Sequence, residues 1–203
     1  YRDDLLISNA NASKFLLTQA DVGKSIKLQA QYTDGFGTLE TVTSLATDFV
    51  VNTNNEPQGT VSILGTTTEG NTLTVAVDIS DTDGLGSFAY QWLRDDSVIL
   101  GQTAQSYALT QTDVGTQISF AVNYVDGFDY AETVVSSSTD PIANLNAPAE
   151  GTVQISGIAA QGSVLTAIPA ISDADGLGEF QYQWLRNDLE ISGAEQVNYV
   201  LTQ

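Results

Sequence analysis

The chain has 203 residues, with 25 Asp and Glu against 6 Lys and Arg, for a formal net charge of −19. Such a surface repels nucleic acid and anionic lipid, and no apolar run is long enough to span a bilayer. Nucleic-acid binding and direct membrane insertion are therefore not expected. Cys, Met and His are absent, which removes disulfides, thiol nucleophiles and the commonest general base. A carboxylate-rich surface carries self-repulsion that salt or divalent cations relieve. It suits a calcium-bearing extracellular medium, although many secreted bacterial proteins are simply acidic.

The first residues, "YRDDLLIS", read as the middle of a domain, which predicts a segment of a longer chain. "LTQADVGKSI" (Leu17–Ile26) returns as "LTQTDVGTQI" (Leu109–Ile118), and "YTDGFG" at Tyr32 returns as "YVDGFD" at Tyr124. "DTDGLGSFAYQW" (Asp81–Trp92) returns as "DADGLGEFQYQW" (Asp173–Trp184), and "YRDD" at Tyr1 matches "LRDD" at Leu93 and "LRND" at Leu185. Every offset is 92 residues. A fixed period of this kind marks a repeat architecture. It divides the chain into the back half of one repeat (1–56), a complete repeat (57–148) and the front half of a third (149–203).

Within the complete repeat, strands are expected over Thr60–Leu64, Thr72–Ser80, Ser87–Leu93, Ser97–Leu100, Ser106–Leu109, Gln117–Tyr124 and Ala131–Ser138. They take the roles A, B, C, C′ or D, E, F and G. Leu73, Val75, Val77 and Ile79 alternate with polar or small residues, as do Phe88, Tyr90 and Trp92, then Ile118, Phe120, Val122 and Tyr124. That period of two, bounded by Gly, Asp and Asn, reads as half-buried antiparallel strands. About seven strands in some 90 residues is the scale of a β-sandwich. The fold class is all-β: tandem immunoglobulin-like antiparallel β-sandwiches with Trp92 and Trp184 at the strand-C core position. Leu-Thr-Gln-x-Asp-Val-Gly reads as a tight crossover in which Asp113 accepts backbone hydrogen bonds. Pro169 falls inside the third repeat's strand B, which predicts a bulge there or a strand unpaired on one side.

"YQWLRDD…I", "LTQTDVG" and "YVDGF" together resemble the tandem bacterial immunoglobulin-like repeats of giant calcium-dependent surface adhesins, the RTX and biofilm class. The resemblance covers the whole chain. It implies non-catalytic extender modules at the bacterial cell surface, partnered by neighbouring repeats and by other copies in a fibre or matrix. The chain departs from antibody domains, because both inter-sheet cysteines and the tyrosine-corner residue are missing.

The acidic loops carry two readings. Asp and Gly are the default residues of tight turns. In a sandwich, however, the B–C and F–G loops share one end, which brings Asp81 and Asp83 towards Asp126 and Asp129. The linker "TDFVVNTNNEPQG" delivers Asp48, Asn52, Asn54, Asn55 and Glu56 to that end, and Asp21 of the preceding repeat is a further candidate. The third repeat offers Asp173, Asp175, Asp140, Asn144, Asn146 and Glu150, with Asp113 in the place of Asp21. Converging oxygens suit Ca²⁺, which takes six to eight of them in a tolerant geometry. The EF-hand series is absent, and without His or Cys a zinc site is not expected. Asp81 and Asp83 are also the obvious glycosidase pair, but one active site in every link of a repeated chain is an improbable arrangement, so no enzyme is expected. Two other classes stay open. One is a carbohydrate-binding accessory module, which would need Phe128 and Tyr130 exposed. The other is a filament, sheath or surface-layer subunit.

Overall fold

A computed structural model describes residues 1–203. The chain is all-β: fourteen strands and two single 3-10 turns, with every strand pairing antiparallel. It forms two compact units.

The first unit comprises residues 1–66, 72–107 and 117–140. It opens with a hairpin of β1 (Gln29–Thr33) and β2 (Leu39–Thr43). Then come β3 (Gln58–Leu64), β4 (Thr72–Ser80), β5 (Ala89–Arg94), β6 (Ser97–Val98), β7 (Ser106–Ala108), β8 (Ile118–Val125) and β9 (Ala131–Val135). They make two sheets, ordered β3-β4-β7 and β6-β5-β8-β9. β3 packs against β8 and β9 of the other sheet, so the arrangement is sandwich-like.

Burial along β4 follows the alternation of its sequence, with Leu73 innermost. β8 is buried almost throughout: β5 and β9 pair with both its edges, β3 of the other sheet packs on one face, and its remaining positions include the small Ser119 and Ala121. Leu73, Trp92, Ile118, Phe120 and Val122 are wholly buried, and full burial of one large apolar side chain contributes roughly 1.5–3 kcal/mol. Trp92 packs edge-on against Phe120 with ring centroids 4.8 Å apart. Its indole N–H donates to Ala104 O at 2.8 Å, so the largest core residue leaves no polar atom unpaired. Gln91 Nε2 ties the same corner by donating to Trp92 O and Ile99 O, both at 2.8 Å.

The strand expected over Ala131–Ser138 stops at Val135. Ser136 supplies the reason. Its hydroxyl accepts the Phe120 N–H at 3.0 Å while its own N–H donates to Phe120 O at 2.9 Å. A side chain has replaced the backbone carbonyl, and the ladder ends there.

The second unit comprises residues 67–71, 108–116 and 141–203. Its strands are β10 (Glu150–Gly157), β11 (Val164–Ser172), β12 (Leu185–Arg186), β13 (Leu189–Glu190) and β14 (Asn198–Val200). β10 and β11 pair in unbroken register, with Pro169 opposite Val153. β14 pairs with β11 only over Val164–Thr166. Pro169 therefore sits where β11 has a single ladder, unpaired on one side and without a bulge, as a residue lacking an N–H requires. Residues 181–184 form no ladder, whereas Ala89–Trp92 pair with β8. The sequences are alike, and the difference is whether a partner strand lies alongside.

Candidate metal centre

Asp81 starts the loop after β4. Its Oδ1 accepts the Asp83 N–H at 2.9 Å, the Asx turn that makes Asp a turn residue. Asp173 repeats this with Asp175, also at 2.9 Å. In the β8–β9 loop, Asp126 Oδ1 accepts Phe128 N and Tyr130 N, both at 2.8 Å. Asp34 does the same in the β1–β2 hairpin with Phe36 N at 2.9 Å and Thr38 N at 2.8 Å.

Backbone approach brings the two loops of the first unit together. Gly127 N donates to Asp83 O at 3.1 Å. A Cβ on Gly127 would lie 2.5 Å from that oxygen, so only glycine lets the loops meet.

At the convergence, carboxylate oxygens of Asp81, Asp126 and Glu132 all lie within 4.8 Å of one another. That is about twice the Ca–O bond of roughly 2.4 Å, so one cation can reach all three. Asp81 Oδ2 accepts the Tyr124 hydroxyl at 2.6 Å. Burial raises the Tyr124 hydroxyl well above the usual phenol value; the bond to Asp81 and the charges of Asp81, Glu132 and Asp126 raise it further. Tyr124 is therefore a permanent neutral donor. Glu132 accepts the Asn54 amide at 2.7 Å, and Asp83 Oδ2 accepts Asn55 N at 2.6 Å. The linker before β3 is thus held by one carboxylate of the β4–β5 loop and one of β9. In the second unit, Asp175 Oδ2 accepts Ala147 N at 2.7 Å, the counterpart of the Asp83–Asn55 bond.

Four buried side-chain atoms have no hydrogen-bond partner: Asn52 Nδ2, Asn54 Oδ1, Asp83 Oδ1 and Asp126 Oδ2. All four belong to this linker and these two loops. Asp126 is 6 % exposed and Asp83 4 % exposed, and a buried carboxylate oxygen without a partner is costly. The donors are all oxygen, three of the orphans are acceptors, and three carboxylates share one spot. That chemistry fits a hard divalent cation of the Ca²⁺ type.

Of the acidic residues singled out in the sequence, Asp81 and Asp126 enter the cluster and Asp83 adjoins it. Asp129 is exposed at φ 67° in the loop tip. Asp48 and Glu56 are exposed in the linker, and Asp140 and Glu150 are exposed as well. Asp173 and Asp175 stand half-buried on their own loop. Asp21 and Asp113 are corrections to the expected ligand set, being wholly buried and turned inward. Asp21 Oδ2 accepts Thr18 N and Thr18 Oγ1 at 2.8 and 2.9 Å, and Oδ1 takes Arg2 at 2.7 Å. Burial pushes its carboxyl up, but the bonds from Thr18 and Arg2 outweigh this and hold it below the usual carboxylate range. Asp113 likewise accepts Thr110 N and Thr110 Oγ1 at 2.7 and 2.9 Å.

Glu132 escapes a reading centred on the Asp-Gly turns, since it lies six residues beyond Asp126, inside β9. The available signal is the repeat itself: Glu132 returns 92 residues earlier as Glu40, whereas Asp129 faces Gly37. No family model, curated protein or solved structure matches this chain. No helix is long and apolar enough to cross a membrane.

Proposed function

We propose that the chain is a run of tandem immunoglobulin-like sandwiches of 92-residue period. They act as non-catalytic extenders of a large secreted or cell-surface bacterial adhesin and are stiffened by Ca²⁺ where a linker meets two acidic loops. One observation carries the reading. Every buried unpartnered side-chain atom lies on that linker or those loops, beside three clustered carboxylates. A water would satisfy some of these atoms but would leave the charge uncompensated; a cation does both. Asp81, Asp126 and Glu132 would hold the ion, with Asn54 Oδ1 as a neutral linker donor. What the ion supplies is charge compensation and a tie between the linker and both loops. The sheet orders β3-β4-β7 and β6-β5-β8-β9 support the sandwich, since they match strand roles A-B-E and C′-C-F-G. Paired bonds 92 residues apart support the repeat: Trp92 Nε1 to Ala104 O and Trp184 Nε1 to Gln196 O, both 2.8 Å.

A carbohydrate-binding module is the second reading, favoured by the exposure of Phe128 and Tyr130 at the β8–β9 tip. It leaves the orphaned oxygens unexplained.

The test is thermal unfolding and small-angle scattering of the dilute chain with Ca²⁺ and with chelator. A ligand bound only by the folded state raises Tm by mass action. Chelation is expected to lower Tm and to broaden the distance distribution. If neither changes, the acidic loops are turns alone and the cation reading fails.

A further inference from the structure

The linker that leaves the complete repeat is anchored by its first residues. Ile142 is buried; its N–H donates to Thr116 O and its carbonyl accepts Gly115 N, both at 2.9 Å. Ala143 N donates to Thr67 O and Ala143 O accepts Glu69 N, again at 2.9 Å. Two parallel bridges, Val114 with Ile142 and Thr68 with Ala143, result. Between that anchor and β10 lies the run 144–149. Two carboxylates hold it. Leu145 N donates to Glu69 Oε2 at 3.4 Å, and Ala147 N donates to Asp175 Oδ2 at 2.7 Å. Glu69 belongs to the β3–β4 connection and Asp175 to the loop after β11. All these residues lie in the second unit.

One side chain joins the two carboxylates. Gln111 opens the 3-10 turn Gln111–Asp113, whose Asp113 is turned inward. One end of the Gln111 amide stands 2.8 and 3.1 Å from the two Glu69 carboxylate oxygens and 3.3 Å from Asp175 Oδ1. A carbonyl oxygen there would face three carboxylate oxygens and repel them. The NH₂ has one hydrogen for each carboxylate, so it is the NH₂ that stands there. The other end of the amide lies 3.3 Å from Asn144 Oδ1, where the Asn144 amide can turn to present its own NH₂. The contacts close a ring: Glu69 to Gln111, Gln111 to Asp175, Asp175 to Ala147, and back along the linker through Leu145 to Glu69. At the preceding linker, 92 residues earlier, Gln19 meets Asn52 at 3.1 Å and Asp83 accepts Asn55 N, so parts of the arrangement recur.

We propose that Gln111 is a clasp: a neutral side chain that binds two like-charged carboxylates at once and fixes the linker between the complete repeat and the next without a metal ion. Glu69 and Asp175 repel each other across this gap. An NH₂ between them offsets that repulsion with a charge-assisted hydrogen bond to each, roughly twice as strong as a neutral one. Because the bonds form a ring, loss of the clasp loosens both carboxylates and with them their hold on Leu145 and Ala147. The linker thus keeps its order when Ca²⁺ is withdrawn. The inference goes beyond the cation reading, since Asp81, Asp126 and Glu132 take no part in the ring. It rests on the tandem-repeat reading only in calling residues 144–149 a junction. The rival arrangement is a cation seated among the same oxygens, with the Gln111 amide turned the other way.

The experiment is amide hydrogen exchange followed by NMR on the 203-residue chain, first in chelator. Wild type is expected to protect the Ala147 N–H there, and Gln111→Ala to lose about tenfold of that protection, with the β10–β11 ladder amides unchanged. Glu69 does not touch Ala147, so Glu69→Ala should lower Ala147 protection only through the clasp. In a Gln111→Ala background it should do nothing further at Ala147. Gln111→Glu keeps the shape but puts a third carboxylate in the gap; protection should fall in chelator and stay low in millimolar Ca²⁺. Undiminished protection of Ala147 in Gln111→Ala overturns the proposal, as does a full Glu69→Ala effect in the Gln111→Ala background. Recovery of Gln111→Glu to wild-type protection in Ca²⁺ overturns it in favour of the seated cation. A loss that spreads to the β10–β11 ladder marks general unfolding of that variant, and the Glu69→Ala arm, on another loop, then decides. Ca²⁺-induced shifts at Asp81, Asp126 and Glu132 are read in the same spectra, so failure of the cation reading shows separately from failure of the clasp.

Discussion

Asp126 does two jobs with its two oxygens. Oδ1 shapes the loop by accepting two backbone N–H groups, while Oδ2 is buried without a partner beside Asp81 and Glu132. Asp126→Asn separates them. The amide oxygen can keep the loop bonds, and the new NH₂ can donate towards the Asp81 and Glu132 carboxylates in place of a third negative charge. In chelator the variant should therefore be more stable than wild type, by about 1 kcal/mol, since one repulsion is exchanged for a hydrogen bond. In Ca²⁺ it should gain little, because a central ligand charge is gone. The two melting curves should cross in order between chelator and Ca²⁺. If Asp126→Asn melts lower than wild type in both, the orphaned oxygen belongs to a structural hydrogen-bond network and not to a cation site. Much of this site was legible as composition. Asp81, Asp83 and Asp126 stand in turns whose residue types announce them. Glu132 was not, because a Glu inside a strand carries no turn signature, and only loop convergence through Gly127 shows where it points. Asp129 misled for the opposite reason: it looks like a ligand, yet it occupies a position of positive φ that Gly37 fills in the preceding hairpin.

At the scale of strands, one tight constraint lies between β3 and β4. Gly59 sits opposite Ile79 at φ 115°, and a Cβ there would press into the Asp78 carbonyl. Gly59→Ala should cost about 3 kcal/mol, combining a disallowed backbone with a backbone clash. For a sandwich of this size that is roughly 15 °C in Tm. Gly101 supplies the contrast: its φ is 76°, but nothing lies within 4 Å of an added Cβ, so Gly101→Ala should cost about 1 kcal/mol. Equal losses for the two would mean that β3 yields easily at Gly59 and does not pin the sheet. Strand positions were legible from alternation wherever one face is buried, and β4 starts and stops at Thr72 and Ser80, as its sequence indicates. Strand ends were less so, because pairing decides them. β9 ends where the Ser136 hydroxyl intrudes, and residues 181–184 lack a ladder because no strand lies beside them. Neither fact is local to the residues concerned.

For the whole molecule the difficulty is to tell a cation site from a cation atmosphere. A chain of net charge −19 is destabilised by diffuse repulsion, and any added ion relieves some of it. Ca²⁺ could then raise Tm without binding anywhere in particular. The two effects scale differently. Diffuse repulsion is screened once the Debye length falls from about 30 Å at 0.01 M to about 4 Å near 0.5 M salt. A bound ion among three carboxylates sits inside that distance and loses only part of its affinity. In chelator, Tm should climb with NaCl and level off. Millimolar Ca²⁺ added at the plateau contributes almost nothing to ionic strength, yet a specific site should raise Tm again. The gain should follow a saturating curve, reaching about 2.7 kcal/mol when Ca²⁺ is one hundred times Kd. Mg²⁺ should do less at the same concentration, because it demands six oxygens near 2.1 Å in close to ideal octahedral order and gives up its waters reluctantly, whereas Ca²⁺ accepts an irregular set. If Ca²⁺ adds nothing above the salt plateau, or if Mg²⁺ matches it, the acidic loops act as charge alone, and the Asp83–Asn55 and Asp175–Ala147 bonds must hold their linkers unaided.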